Sequence, residues 1–154
     1  IAPGTGIVFN NMLGEEDINP QGFHQWPVNT RMSSMMSPSL ILRPDGLVVA
    51  LGSGGSNRIR TAVLQVVLNM LAFSVHVEEA VELPRIHFER SALDVEAGFA
   101  EGVRAELLKA YEPCKVWDQR NLFFGGVHAV EFNSRTGELS GGGDPRRGGV
   151  ALVV

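Results

Sequence analysis

Residues 32–65 read MSSMMSPSLILRPDGLVVALGSGGSNRIRTAVLQ. Ser39 to Arg43 and Leu47 to Leu51 are two apolar runs flanking Pro44-Asp45-Gly46. Proline presets one turn angle and glycine tolerates the left-handed region, so the stretch predicts a β-hairpin. The loop Gly52-Ser-Gly-Gly-Ser56 follows, and residues 60–73 then place Ala62, Val63, Val66, Val67, Met70 and Leu71 at spacings of three and four. That period predicts a helix buried along one face. A glycine loop between a strand and a helix N-terminus can aim backbone N–H groups at negative charge, and the hydroxyls of Ser33 and Ser34 add donors. The stretch is therefore a candidate site for a small anionic substrate.

The flanks supply further elements. Ile7 to Asn10 reads as a short strand entering a loop from Gly14 to Thr30, which Pro20, Gly22 and Pro27 keep irregular. A structureless segment of that length is commonly a binding loop or lid. Val77 to Leu83 predicts a short helix stopped by Pro84, and Phe99 to Tyr111 a second one carrying Val103, Leu107 and Leu108. Strands are expected at Leu93–Glu96, Val127–Phe132, Glu138–Ser140 and Val150–Val154. Together they predict an α+β fold, a mainly antiparallel sheet with helices packed on one face, in a single domain over residues 1–154.

Composition narrows the function. The chain has 154 residues, 44% of them hydrophobic and 19% charged, and a net charge of -4. A chain of this length buries roughly 68–70% of its unfolded surface, enough for a core without metal or disulfide. Its 13 Lys and Arg residues are scattered except for Arg146 and Arg147, so no basic stripe marks a nucleic-acid track. Cys114 stands alone, which excludes an internal disulfide and a thiolate cluster for zinc. No segment reads as a membrane span, and the start of the chain shows no signal-peptide pattern.

The remaining motifs are tested against ordinary roles. The glycine loop lacks Gly-Lys-Ser/Thr, lacks the third glycine of a dinucleotide fingerprint, and has Arg58 where a Gly-x-Ser-x-Gly elbow needs glycine. Stabilisation of an oxyanion by backbone amides survives these exclusions. Glu15, Glu16 and Asp17 read by themselves as a solvated acidic loop. His24, His76, His87 and His128 have no metal-binding spacing and read as structural. Phe23 and Trp26 read as packing anchors of the long loop, and Asp144-Pro-Arg-Arg147 as a turn into the last strand.

Several separated motifs, in order, resemble the small subunit of the gamma-glutamyltransferases in the N-terminal-nucleophile hydrolase superfamily. They are Gly6-Ile-Val-Phe-Asn-Asn11, Ser33-Ser-Met-Met-Ser-Pro38, Gly52-Ser-Gly-Gly-Ser-Asn-Arg-Ile59, Thr61-Ala-Val-Leu-Gln65, Glu79-Ala-Val-Glu-Leu-Pro-Arg85 with His87, and Asp144-Pro-Arg-Arg147. The resemblance implies part of an αββα sandwich, matured by autoprocessing into a heterodimer with the large subunit of the same precursor. It implies transfer of the gamma-glutamyl group of glutathione or a similar donor to an amino acid, a peptide or water, without a cofactor or metal. Gly54 and Gly55 would form the oxyanion hole, with Ser56 as the alternative second donor because the loop departs from the family spacing. Ser33 and Ser34 would bind the substrate α-carboxylate and Glu15 its α-ammonium, with Asn11 also among the substrate-binding residues. Met12 stands where many members carry Gln, a change bearing on donor selectivity. The family nucleophile is a Thr well before the Gly-Ile-x-x-Asn-Asn segment. This sequence begins at Ile1, and Thr5 lies within the chain without the free amine such a nucleophile uses. The chain alone is therefore expected to be inactive. A related acylase acting on a glutaryl amide and a non-catalytic binding domain are the rival expectations.

Overall fold

The computed structural model describes residues 1–152, and two compact units divide the chain, Ile1–Met35 and Met36–Val154. The first unit contains no β-strand among its described residues. Its regular element is a single 3-10 turn, Met12–Gly14, beside which Asn19 donates to the carbonyls of Met12 (2.9 Å) and Glu15 (3.2 Å). Asn19 is buried, so a polar side chain replaces the missing ladder as the organiser of this segment. The strand expected at Ile7–Asn10 does not form. Ile7, Val8 and Phe9 are exposed, and a strand requires a neighbour to receive its N–H and C=O groups.

In the second unit the hairpin forms as its turn chemistry dictates. β1 (Ser39–Leu42) pairs antiparallel with β2 (Leu47–Ser53). Gly46 N–H donates to Arg43 O (3.1 Å) and Arg43 N–H to Leu47 O (2.9 Å), with Gly46 at φ +91°, a turn closed by a bulge glycine. Later in the chain come α1 (Arg58–Leu71), α2 (Val77–Glu82), β3 (Ile86–Glu89), β4 (Ala92–Val95), α3 (Glu101–Ala110), β5 (Cys114–Val116), β6 (Val127–Asn133) and β7 (Leu139–Gly142). One sheet has the order β1-β2-β6-β7, antiparallel throughout. A second, three-stranded sheet has the order β3-β4-β5, with β4 and β5 parallel. The expected single sheet is thus two. β3 and β5 escape a local reading because each has only three or four residues and depends on a distant partner.

Alternation along β2 and β6 decides where the core lies. Val49 and Leu51 of β2 and Val127 and Ala129 of β6 face α1 and α2, meeting Ala62, Val66 and Met70 of the first helix and Val77, Ala80 and Val81 of the second. Burying one such Val or Met contributes about 1.5–3 kcal/mol, so Val66→Asp alone would undo much of the α1 contact. The inward stripe of α1 is Ile59, Ala62, Val66 and Met70. Val63 and Val67 flank it and Leu71 turns outward, so the wide face anticipated from periodicity narrows by its last residue. Helix α3 forms but buries none of its residues, leaving Val103 and Leu108 exposed.

The other face of the four-stranded sheet is also apolar. Leu40, Leu42, Val130, Phe132 and Leu139 are 41–70% exposed there. A groove of about 650 Å³ runs over this face past Pro38, Ala50, Gly52, Val130 and Leu139 to Leu152. No strand forms over Val150–Leu152, and the rest of that expected element, Val153 and Val154, lies outside the described residues. Among the described residues, no helix is long and apolar enough to cross a membrane.

Candidate active site

The glycine loop joins β2 to α1 through Gly54, Gly55, Ser56 and Asn57. Gly55 adopts φ +138°, a conformation that L side chains rarely take. Among the described residues, no acceptor takes the backbone N–H of Gly54 or Gly55. Two successive N–H groups without an internal acceptor, beside the first turn of a 14-residue helix, are suited to developing negative charge.

The loop is held on three sides. Ser53 Oγ donates to Gly54 O and accepts from Gly126 N–H, both at 3.3 Å, which ties the loop to the approach to β6. Asn57 Nδ2 donates to Glu89 Oε1 at 2.7 Å, and the buried His87 sits between Thr61 Oγ1 (2.8 Å) and Glu89 Oε2 (3.4 Å). Gln65 clamps the same helix to β3, donating to the carbonyls of Thr61 (2.7 Å) and Ile86 (2.9 Å) and accepting from Ile86 N–H (2.9 Å). The structural reading of His87 agrees with these bonds, and the described residues contain no group of metal-ligating side chains.

Beneath the loop lies a buried charge network that local sequence patterns do not reveal. Arg85 donates to Asp144 Oδ2 at 2.6 Å, and Arg146 meets Glu96 through two bonds of 2.8 and 2.6 Å and Asp144 Oδ1 at 3.1 Å. The guanidiniums also satisfy the orphan carbonyls at the end of α2, Arg85 on Val81 O and Arg146 on Val81 O and Leu83 O. Arg85 further donates to Phe124 O, and Glu96 accepts from Asn121 N–H. The network thereby fixes the 3-10 turn Leu122–Phe124, which leads into Gly125 and Gly126 under the loop. Burial pushes the Asp144 carboxyl up, but the charges of Arg85 and Arg146 and two backbone N–H bonds outweigh it and hold the group below its usual range. For Arg146, burial works downward and its bonds to Glu96 and Asp144 raise the net value. Arg85 is lowered, by burial and by the charge of Arg146.

Asp144 also accepts from Arg146 N–H (2.9 Å) as the N-cap of the 3-10 turn Pro145–Arg147, which agrees with the expected turn. The remaining predicted residues lie in the first unit. Asn11 stands at the N-cap of Met12–Gly14, whose Gly14 N–H donates to Asn11 O, and Glu15 closes that turn. Ser33 and Ser34 are exposed in an irregular stretch. Thr5 Oγ1 donates to Ala2 O and accepts from Ile7 N–H, a local turn. Trp26 donates to Thr30 O and lines a small groove with Pro20 and Pro27, as an anchor should, whereas Phe23 is exposed and anchors nothing by packing.

A layer of antiparallel sheet and helices with an amide-bearing loop at the strand-to-helix junction is one half of the N-terminal-nucleophile hydrolase sandwich. The chain belongs to the gamma-glutamyltranspeptidase family, whose profile matches residues 1–154. It is 31% identical over 152 residues to the Acylase ACY 1 proenzyme of Pseudomonas sp. (strain SE83), covering 99% of this chain and 26% of that protein. It is 28% identical over 155 residues to the Glutathione hydrolase proenzyme of Bacillus subtilis (strain 168), covering 100% of this chain and 26% of that protein. The chain thus spans about a quarter of the length of these relatives. The solved structure of gamma-glutamyltranspeptidase from Pseudomonas nitroreducens complexed with L-DON superposes with a TM-score of 0.67 at 34% identity, covering 84% of this chain and 67% of that one.

Proposed function

We propose that residues 1–154 act as a single domain, the small-subunit portion of an enzyme that cleaves and transfers the gamma-glutamyl group. The observation that carries this reading is the pair of N–H groups at Gly54 and Gly55 without an internal acceptor, in a chain of this family. In the complete enzyme a Thr outside this chain attacks the gamma-carbonyl carbon through its hydroxyl oxygen. The hydroxyl proton passes to the Thr amine, and the carbonyl becomes a tetrahedral oxyanion. Gly54 and Gly55 hold that charge, each donor worth about 3–4 kcal/mol in acyl transfer, with Ser56 as the alternative second donor. The C–N bond then breaks, the leaving amine takes the proton, and water or an acceptor amine resolves the ester. Ser33 and Ser34 bind the donor α-carboxylate and Glu15 the α-ammonium, with Asn11 also in contact with the substrate, so the zwitterionic end orients the bond to be cleaved. This step uses no cofactor.

The partner is the remainder of the precursor. Among the described residues, five large apolar side chains stand exposed on the face of the antiparallel sheet opposite the helices, which supports a second layer laid over that face. The similarity to an acylase proenzyme and Met12 in place of the usual Gln favour a second reading, an amidase for glutaryl-type acyl groups. Hydrolysis of a gamma-glutamyl anilide and a glutaryl amide by the processed full-length enzyme separates the two. A gamma-glutamyl preference that Ser33→Ala and Ser34→Ala erode through KM by tenfold or more is expected. A glutaryl preference overturns the first reading.

A further inference from the structure

Asn57 closes the glycine loop, at the place where the loop departs from the family spacing. An asparagine just before a helix ordinarily folds its side chain onto the first N–H groups of that helix. Asn57 does not. It is the N-cap of α1, yet its backbone is already helical, at φ −54° and ψ −28°, and its side chain makes no capping bond. Its Nδ2 donates instead to Glu89 Oε1 at 2.7 Å, across 32 residues of sequence. The helix N-terminus gives up its cap for a tether between the loop and the second sheet.

The far end of that tether is firmly placed. Glu89 ends β3 and pairs with Ala92 of β4 across a two-residue turn in which Arg90 and Ser91 are both left-handed, at φ +50° and +68°. Its carboxylate, partly exposed, also meets His87 Nε2 at 3.4 Å and Arg60 Nη2 at 3.7 Å. His87 is held in turn by Thr61 Oγ1, which also reaches Arg58 O at 3.2 Å. At the start of the loop Ser53 Oγ holds Gly54 O, and at its end Ser56 O accepts from Ile59 N–H (2.9 Å) in the first turn of α1. Between them Gly54 and Gly55 have no side chain to restrict them. Arg147, whose stem crosses Gly126, touches both glycines without a hydrogen bond from its side chain to another described residue. The Asn57 side chain is thus a bond that ties the loop to an element outside its own helix.

We infer that Glu89 is a positioning residue of the amide loop, which acts through Asn57 to set the direction in which the Gly54 and Gly55 N–H groups meet the oxyanion. The inference rests on the acyl-transfer chemistry proposed for that loop, whichever acyl group is carried. Donors aimed at an oxyanion act on the transition state more than on the bound substrate, so a loss of aim appears in kcat rather than KM. The pair can also exchange roles. A glutamine at position 89 keeps an oxygen for Asn57 and turns its NH2 toward His87 Nε2. The imidazole then carries its proton on Nδ1 and donates to Thr61, whose hydroxyl donates to Arg58 O.

The test uses the complete processed enzyme with a gamma-glutamyl anilide and a glutaryl amide. Glu89→Ala is expected to lower kcat about tenfold or more while KM moves by less than about twofold, and Glu89→Gln to recover part of that loss. Asn57→Asp sets two carboxylates against each other and should also lower kcat. Adding Glu89→Gln to it exchanges donor and acceptor, and the double variant should regain most of the activity. A loss carried by KM, no loss, or a double variant no better than Asn57→Asp overturns the inference and leaves the gamma-glutamyl reading intact. Cleavage of the glutaryl amide alone refutes that reading, and the same kcat series on the glutaryl amide then decides the role of Glu89. Hydrogen exchange of the amides in residues 52–57 decides it without turnover. Exchange should quicken in Glu89→Ala and Asn57→Asp and return toward the wild-type rate in the double variant. A rate unchanged in both single variants, or one that quickens equally along the whole of α1, overturns the inference. Should Asn57→Asp fail to fold, Glu89→Ala against Glu89→Gln carries the comparison.

Discussion

Replacing Asp144 by Asn tests the buried network most directly. The carboxylate accepts from Arg85 Nη2 and Val127 N–H on one oxygen and from Arg146 N–H and Arg146 Nη1 on the other. An amide keeps one oxygen, so its NH2 must face two donors whichever way it turns. The change also removes one of two anions from a group holding two cations, Arg85 and Arg146. Breaking a buried pair by removing one partner costs about 3–5 kcal/mol. With a urea dependence of about 2 kcal/mol per molar, the unfolding midpoint should fall by about 2 M. The readout is tryptophan fluorescence, because Trp117 stacks on Phe123 with ring centroids 4.8 Å apart, beside the turn that Arg85 holds. The pH dependence gives a second check. The Asp144 carboxyl is lowered in the folded chain, so its contribution is complete above the unfolded value of about 3.9 and is lost as pH falls through the folded one. The difference between the wild type and Asp144→Asn should be full at neutral pH and shrink below about pH 4. A midpoint shift under 0.5 M (about a quarter of the expected fall) or a difference that does not change with pH would refute the reasoning.

Gln65→Leu removes the two hydrogen bonds joining α1 to Ile86 of β3 and should cost about 1–3 kcal/mol in a thermal or urea melt, because the Ile86 N–H and carbonyl lose their side-chain partner. Gly142→Ala places a methyl 2.7 Å from Val81 Cγ2 and 2.8 Å from Val77 O, and should destabilise the α2 to β7 contact by about 1–3 kcal/mol. Gly102→Ala meets nothing within 4 Å on the exposed side of α3 and should stabilise by about 0.4–1 kcal/mol, so the two alanines move the melting temperature in opposite directions.

The elements read correctly from sequence are those whose cause is local. Pro44-Asp45-Gly46 specifies its hairpin because φ preferences act within four residues, and α1 is visible because Ala62, Val66 and Met70 repeat at the helical period. The glycine loop is legible for the same reason, as are the family motifs, each a short run in a fixed order. The charge network is not, since Arg85 and Asp144 are 59 residues apart and Glu96 and Arg146 are 50. Nothing in either neighbourhood announces the other. Tertiary structure alone decided which of two consecutive arginines is buried as an ion-pair partner and which is carried over Gly126 to the loop. It also decided that Ile7–Asn10 forms no strand and that β4 takes a parallel neighbour in β5. Local propensity sets what a segment can become, whereas a ladder or a buried charge is settled only by the partner that folding brings to it.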